Sequence, residues 1–194
     1  MRTHHSSFTR LFCLLMLVSL LSACAAESSP ELPLDTYTDP TGQFSLAIPQ
    51  GWQASELPEE SVLAFTPAGS NGEPTDLRVL LFSAETDTVD TQEHIDQANT
   101  LLQPFLTKYL DETFQVINQG DTEVAKSPAV LLDFAKPYED GYLEGRLVMV
   151  AMPGYVLAFL GMGESQAWED FLPTFRAMLK EFQLLSQSEV TPTP

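Results

Sequence analysis

A chain of 194 residues with 27 acidic against 9 basic side chains, a formal charge of −18, is not built to neutralise phosphates. That balance excludes nucleic acid as a partner and direct adsorption to anionic lipid as the means of holding a membrane. Two cysteines, Cys13 and Cys24, both lie in the first 24 residues, so the remainder carries no disulfide and no thiolate site.

Arg2 and Arg10 precede an apolar run from Leu11 to Leu20, the charged and hydrophobic regions of a secretory signal. The run is shorter than the ~20 residues of a membrane-spanning helix. It ends in Leu21-Ser22-Ala23-Cys24, which resembles the lipobox of bacterial lipoproteins. The resemblance implies cleavage before Cys24, lipid on its thiol and a protein held in the cell envelope, outside the cytoplasm. Residues 1–23 then leave as a signal peptide, taking Arg2 and Arg10 and no acid with them, so the mature chain is more acidic still. The acidity serves solubility at a crowded surface, or else a partner with a basic face.

Residues 24–35, rich in Ser, Pro and Glu, read as a lipidated tether reaching roughly 35 Å from the bilayer. One domain of about 150 residues follows over 36–185, enough for a single core. Residues 186–194, ending Thr-Pro-Thr-Pro, read as a disordered tail.

Asp39-Pro40-Thr41-Gly42 is a turn, and Phe44, Leu46 and Ile48 alternate with Ser45 and Ala47 as a strand that Pro49 ends. Trp52 is expected to cover the end of the sheet. Strands follow at Ser61–Thr66 and Asp76–Ser83, separated by a Gly/Asn/Pro loop. Asp90 with Glu93 has the spacing of a capping box, and Ile95, Ala98, Leu102, Phe105 and Tyr109 share one helical face. Pro104 should kink this first helix.

Four strands come next, near Phe114–Gln119, Ala129–Ala135, Tyr142–Met152 and Tyr155–Gly161. Met152-Pro153-Gly154-Tyr155 suits a type II turn and antiparallel pairing of the last two. Both of these are apolar at either parity, so they belong mid-sheet with cover on each face. Ser165 is expected to cap a second helix, with Glu169 and Asp170 near its positive end. On it Trp168, Phe171, Leu172, Phe175, Met178, Leu179 and Phe182 form an apolar stripe. The expected fold is α+β, an α/β/α sandwich with a largely antiparallel sheet of six or seven strands and two main helices.

Tyr37-x-Asp39, Gly42-x-Phe44-Ser-Leu, Pro49-x-x-Trp52, the acid-capped central helix, the late hairpin and Pro173-x-Phe175-x-x-Met178-Leu179-x-x-Phe182 resemble the PsbP-like and DcrB-like domain family. The resemblance spans Tyr37 to Leu185 and implies the same sandwich, in a family of binding and assembly proteins more than enzymes. Relatives often carry Ser before the last Phe of the final helix, where this chain has Glu181.

No residue is assigned a catalytic, cofactor or metal role. His94, the histidine left after cleavage, lies among Asp87, Asp90, Glu93 and Asp96, a setting that would suit a metal or a proton transfer. A helix start explains the same acids, and Asp87-Thr88-Val89-Asp90 lacks the spacing and glycine of a calcium loop. Gly161-Met162-Gly163 lacks the third glycine of a dinucleotide loop, and Glu164 and Glu169 would repel phosphate. No nucleophile elbow or P-loop is present. Glu59-Glu60 and Glu139-Asp140 read as solvated turns. The function expected is a membrane-anchored, non-catalytic binding or assembly module. The alternative is an envelope hydrolase using carboxylates or a metal near His94.

Overall fold

The computed structural model describes residues 32–57, 62–73, 75–85, 107, 110, 112–138, 141–152 and 154–185. Ten strands and one whole helix are found among them: β1 (Leu34–Thr38), β2 (Phe44–Pro49), β3 (Trp52–Leu57), β4 (Val62–Pro67), β5 (Arg78–Glu85), β6 (Gln115–Val124), β7 (Ser127–Tyr138), β8 (Gly141–Met152), β9 (Tyr155–Glu164), α1 (Ser165–Lys180) and β10 (Gln183–Leu184). A seven-stranded sheet runs β3-β4-β5-β9-β8-β7-β6 and a three-stranded sheet runs β1-β2-β10. Every pair is antiparallel.

The strands that lost their alternation are the central ones, as double burial requires. Val148, Val150, Met152, Leu157 and Phe159 point to one face. Leu147, Met149, Val156, Ala158 and Leu160 point to the other. The first face packs against α1, whose Trp168, Phe171, Phe175, Met178 and Leu179 are buried. Phe159 meets Phe182 edge-on at 5.0 Å, and Trp168 and Phe175 lie 5.4 Å apart. Gly161 of β9 makes that approach possible. A Cβ there would stand 2.8 Å from both rings, so the helix sits on bare backbone. The opposite face holds Leu110, fully buried, among Phe134, Leu147 and Leu160.

The expected two helices become one among the described residues. The first, from Asp90 to Tyr109, lies outside them apart from the helical Thr107, as does its kink at Pro104. The face that carries α1 is shared with the three-stranded sheet, so this layer is helix plus strands and not helix alone. β2, expected in the main sheet, pairs instead with β1 and β10. Its Leu46 and Ile48 enter the same core as α1.

Regular structure begins inside the segment 24–35 expected to be a tether. Leu34 and Asp35 already belong to β1, and the Leu32 backbone N–H donates to Thr174 Oγ1 (2.9 Å), a fully buried group on α1. Trp52 opens β3 and stacks on Phe171, rings 5.0 Å apart and 12° from parallel. Ser165 does not cap the helix. Glu164 stands at the N-cap without a side-chain bond, and the Ser165 hydroxyl donates to Glu144 Oε1 at 2.6 Å. Glu169 and Asp170 lie beyond the first turn, which holds no acid.

β6 continues five residues past Gln119 and joins β7 through Ala125 and Lys126, both at positive φ (49° and 64°). Such two-residue hairpins favour Asn and Gly, which tolerate that region, Gly because it has no Cβ. Gly154 takes φ 83°, as the second central position of the β8–β9 turn demands.

Candidate functional site

The register brings one end of the large sheet together around a cleft. Glu56 pairs with Leu63, Leu63 with Leu81, Ser83 with Leu157, and Glu85 with Tyr155. These residues share a face, so Leu63, Leu81 and Leu157 form a floor with Glu56 at one side and Glu85 at the other. Above it, the β1–β2 hairpin contributes Tyr37, Asp39, Gln43 and Phe44, and β10 contributes Leu184. The space enclosed is about 650 Å³, within the range of small-ligand pockets. Among the described residues, no Lys or Arg lines it.

Each wall has a local cause. Asp39 holds its own turn: its carboxylate accepts from the Thr41 N–H (3.1 Å), the Gln43 N–H (3.3 Å) and the Thr41 hydroxyl. That is an Asx-type turn, closed by Gly42 N–H donating to Asp39 O at 2.8 Å. Tyr37 stands edge-on to Phe65, centroids 5.2 Å apart, which anchors its ring against the core. Phe44 leans on Phe182 at 5.9 Å. Burial first, then the carboxylates of Asp39 and Glu56, push the Tyr37 phenol above its ordinary value. The hydroxyl therefore stays protonated and can both donate and accept.

Among the described residues, no three His, Cys, Asp or Glu side chains are grouped closely enough to hold a metal ion. The cleft's carboxylates surround a space rather than converge on a point. A second polar feature lies on the sheet's α1 face. Arg146 Nε donates to Asp133 Oδ1 at 2.5 Å and its Nη2 to Oδ2 at 2.9 Å, while Asn118 Nδ2 adds a bond at 3.1 Å. This bidentate pair clamps β6, β7 and β8 together. Burial raises the Asp133 carboxyl, but bonds from Arg146 and Asn118 and the guanidinium charges of Arg146 and Arg176 outweigh it and leave it below the ordinary value.

Of the residues weighed from sequence, Cys24, Glu59, Glu60, Asp87, Asp90, Glu93, His94, Asp96, Glu139 and Asp140 lie outside the described residues. Gly161 and Gly163 belong to β9, where a Cβ would meet Trp168 and Phe175, or Leu77. Their spacing answers to packing. The acidity is densest in three segments, Glu56–Glu60, Glu85–Asp96 and Glu139–Glu144, and the first residues of two of them, Glu56 and Glu85, line the cleft. The third does not: Glu144 pairs with Gly163, at the end of the sheet away from the Met152–Tyr155 turn. Tyr37, Asp39 and Phe44, noted for their family pattern, prove to be cleft walls.

No known protein family matches the chain by sequence, and no curated protein does. Solved structures do. Cyanobacterial PsbP (CyanoP) from Synechocystis sp. PCC 6803 matches at TM-score 0.60 with 13% identity, over 85% of this chain and 99% of that one. LpqN, involved in cell envelope biogenesis of Mycobacterium tuberculosis, matches at 0.57 with 10% identity, over 79% and 91%. The Saccharomyces cerevisiae Ran-binding protein Mog1p matches at 0.56 with 10% identity, over 81% and 98%. At such identities the likeness is one of fold: the chain folds as a PsbP-like domain.

Proposed function

We propose that the protein is a non-catalytic binding module, lipid-anchored to a membrane through Cys24 and exposed in the cell envelope, that seats a basic protein partner in its acidic cleft. The observation that carries this reading is a 650 Å³ cleft edged by Asp39, Glu56 and Glu85, with no basic side chain among the described residues of its lining. The surplus acidity of the chain then has a place to act: it steers a cation toward an apolar floor that can hold it. Similar folds in an envelope protein and in a Ran-binding protein support a binding role without naming the partner. The lipobox-like Leu21-Ser22-Ala23-Cys24 supports the anchor. Anchoring keeps the module near partners on the same membrane, so modest affinity suffices.

The test is capture of envelope proteins by the full chain in neutral-lipid nanodiscs. Raising salt from about 0.1 M to about 1 M shortens the screening length from ~10 Å to ~3 Å, and specific capture should fall with it. Glu56→Gln with Glu85→Gln should release the same partner at low salt. Capture that ignores both changes would leave the acids with solubility as their only role.

A further inference from the structure

The positions of the carboxylates specify more than charge. Glu56 and Glu85 lie on β3 and β5, with β4 between them. Two strand spacings put them ~10 Å apart across the sheet. Glu56 stands level with Leu81 through Leu63, and Glu85 lies four residues further along β5, ~13 Å at strand rise. The two acids are therefore about 16 Å apart on one face, too far to share a single cation and well placed to receive two.

Among the described residues of that face, Leu63, Leu81, Leu157 and Ser83 lie between them, with the rings of Tyr37, Phe44 and Tyr155 beside them. Leucines accept the methylene stem of a long basic side chain while its head remains at a carboxylate. Aromatic walls favour a planar guanidinium, which stacks on a ring and sheds water more easily than an ammonium. In an extended peptide, residues i and i+4 face the same way ~13 Å apart, and flexible side chains close the remaining gap.

We propose that the cleft receives an extended partner segment bearing two arginines four positions apart, one at Glu56 and one at Glu85. This rests on the cleft being the partner's seat. Leu185, the last described residue, lies beside it, where its N–H donates to Gln43 O. The one charged side chain of residues 186–194 is Glu189, like in sign to the cleft, so that segment offers its carboxylates no cation.

The probe is a fluorescein-labelled Gly-Arg-Thr-Val-Thr-Arg-Gly peptide, titrated by anisotropy against the full chain in non-ionic detergent. Replacing both arginines by citrulline, which keeps shape and removes charge, should weaken binding at least tenfold. A peptide with adjacent arginines should bind several-fold more weakly, and Glu56→Gln and Glu85→Gln should each lose several-fold without lowering Tm. Equal binding of the citrulline peptide, or no change in either variant, overturns the proposal. A lysine twin that binds as tightly overturns the choice of arginine. Binding that appears only after removal of residues 186–194 makes the tail the occupant and overturns it too. If the peptides fail while salt- and glutamate-dependent capture of a partner persists, the two-arginine assignment falls and the cleft remains the seat. If both fail, both fall.

Discussion

Gly145 is the position where one methyl group should do most harm. It lies in β8 opposite Met162, in the middle of the large sheet. A Cβ there would collide with the Gly161 carbonyl oxygen and stand 2.6 Å from Phe134 Cζ and 2.9 Å from Met162 Cβ. The ring of Phe134 is 1% exposed and braced edge-on by Phe114, so it has little room to turn. The carbonyl belongs to the central strand and cannot move without its ladder. Forced overpacking costs about 1–3 kcal/mol, against a gain of about 0.5–1 kcal/mol from stiffening the unfolded chain. Gly120 of edge strand β6 isolates that gain, because a Cβ there meets nothing within 4 Å. Gly145→Ala should therefore fall about 2 kcal/mol below Gly120→Ala in urea melts of the full chain. At ~2–4 °C per kcal/mol for this size, that is a Tm gap of about 4–8 °C. A gap under about 0.5 kcal/mol would refute the packing account of the glycine.

Phe175→Ala should destabilise by about 3–5 kcal/mol in the same melts, since the ring is fully buried on Gly161 beneath Trp168. Asp133 titrates below its ordinary value in the folded chain, so its contribution is complete above the unfolded carboxylate range and is lost as pH falls through the folded pKa. Asp133→Asn should cost about 1–3 kcal/mol near neutral pH by leaving Arg146 half-bonded, and the difference from wild type should shrink below about pH 4. Cys24→Ser, expressed in a bacterial host, should move the protein from the membrane to the soluble fraction and abolish fatty-acid labelling. Equal sedimentation of both forms would remove the anchor.

What the sequence made legible was whatever burial had written into it. β8, β9 and the stripe of α1 stood out because doubly buried strands and one-sided helices leave strong, distinct patterns. β1 and β3 escaped notice because Leu-Asp-Thr-Tyr-Thr and Trp-Gln-Ala-Ser-Glu-Leu bury little: only Leu34, Tyr37, Trp52 and Leu57 are even half-covered. The length of β6 was hidden by polar edge residues and by a turn at Ala125-Lys126 that carries none of the usual turn chemistry. The cleft's acids were visible as charge, yet their meeting depends on strand register, which no local pattern of Glu56 or Glu85 encodes. Asp39 looked like turn chemistry alone, and it is that as well as a wall.

The three-stranded sheet joins the first strand of the domain to its last. β2 pairs with β1 on one side and with Gln183 and Leu184 on the other, and Leu184 is itself part of the cleft. During synthesis, the walls at Tyr37 and Phe44 must wait for nearly the whole chain before their neighbour Leu184 arrives. Long-range closures of this kind are slow and come late in folding. The cleft is therefore completed late: a chain cut short before Leu184 can hold Glu56 and Glu85 and still lack the wall that Leu184 supplies. On the function proposed above, binding waits for a residue made after every other wall of the cleft.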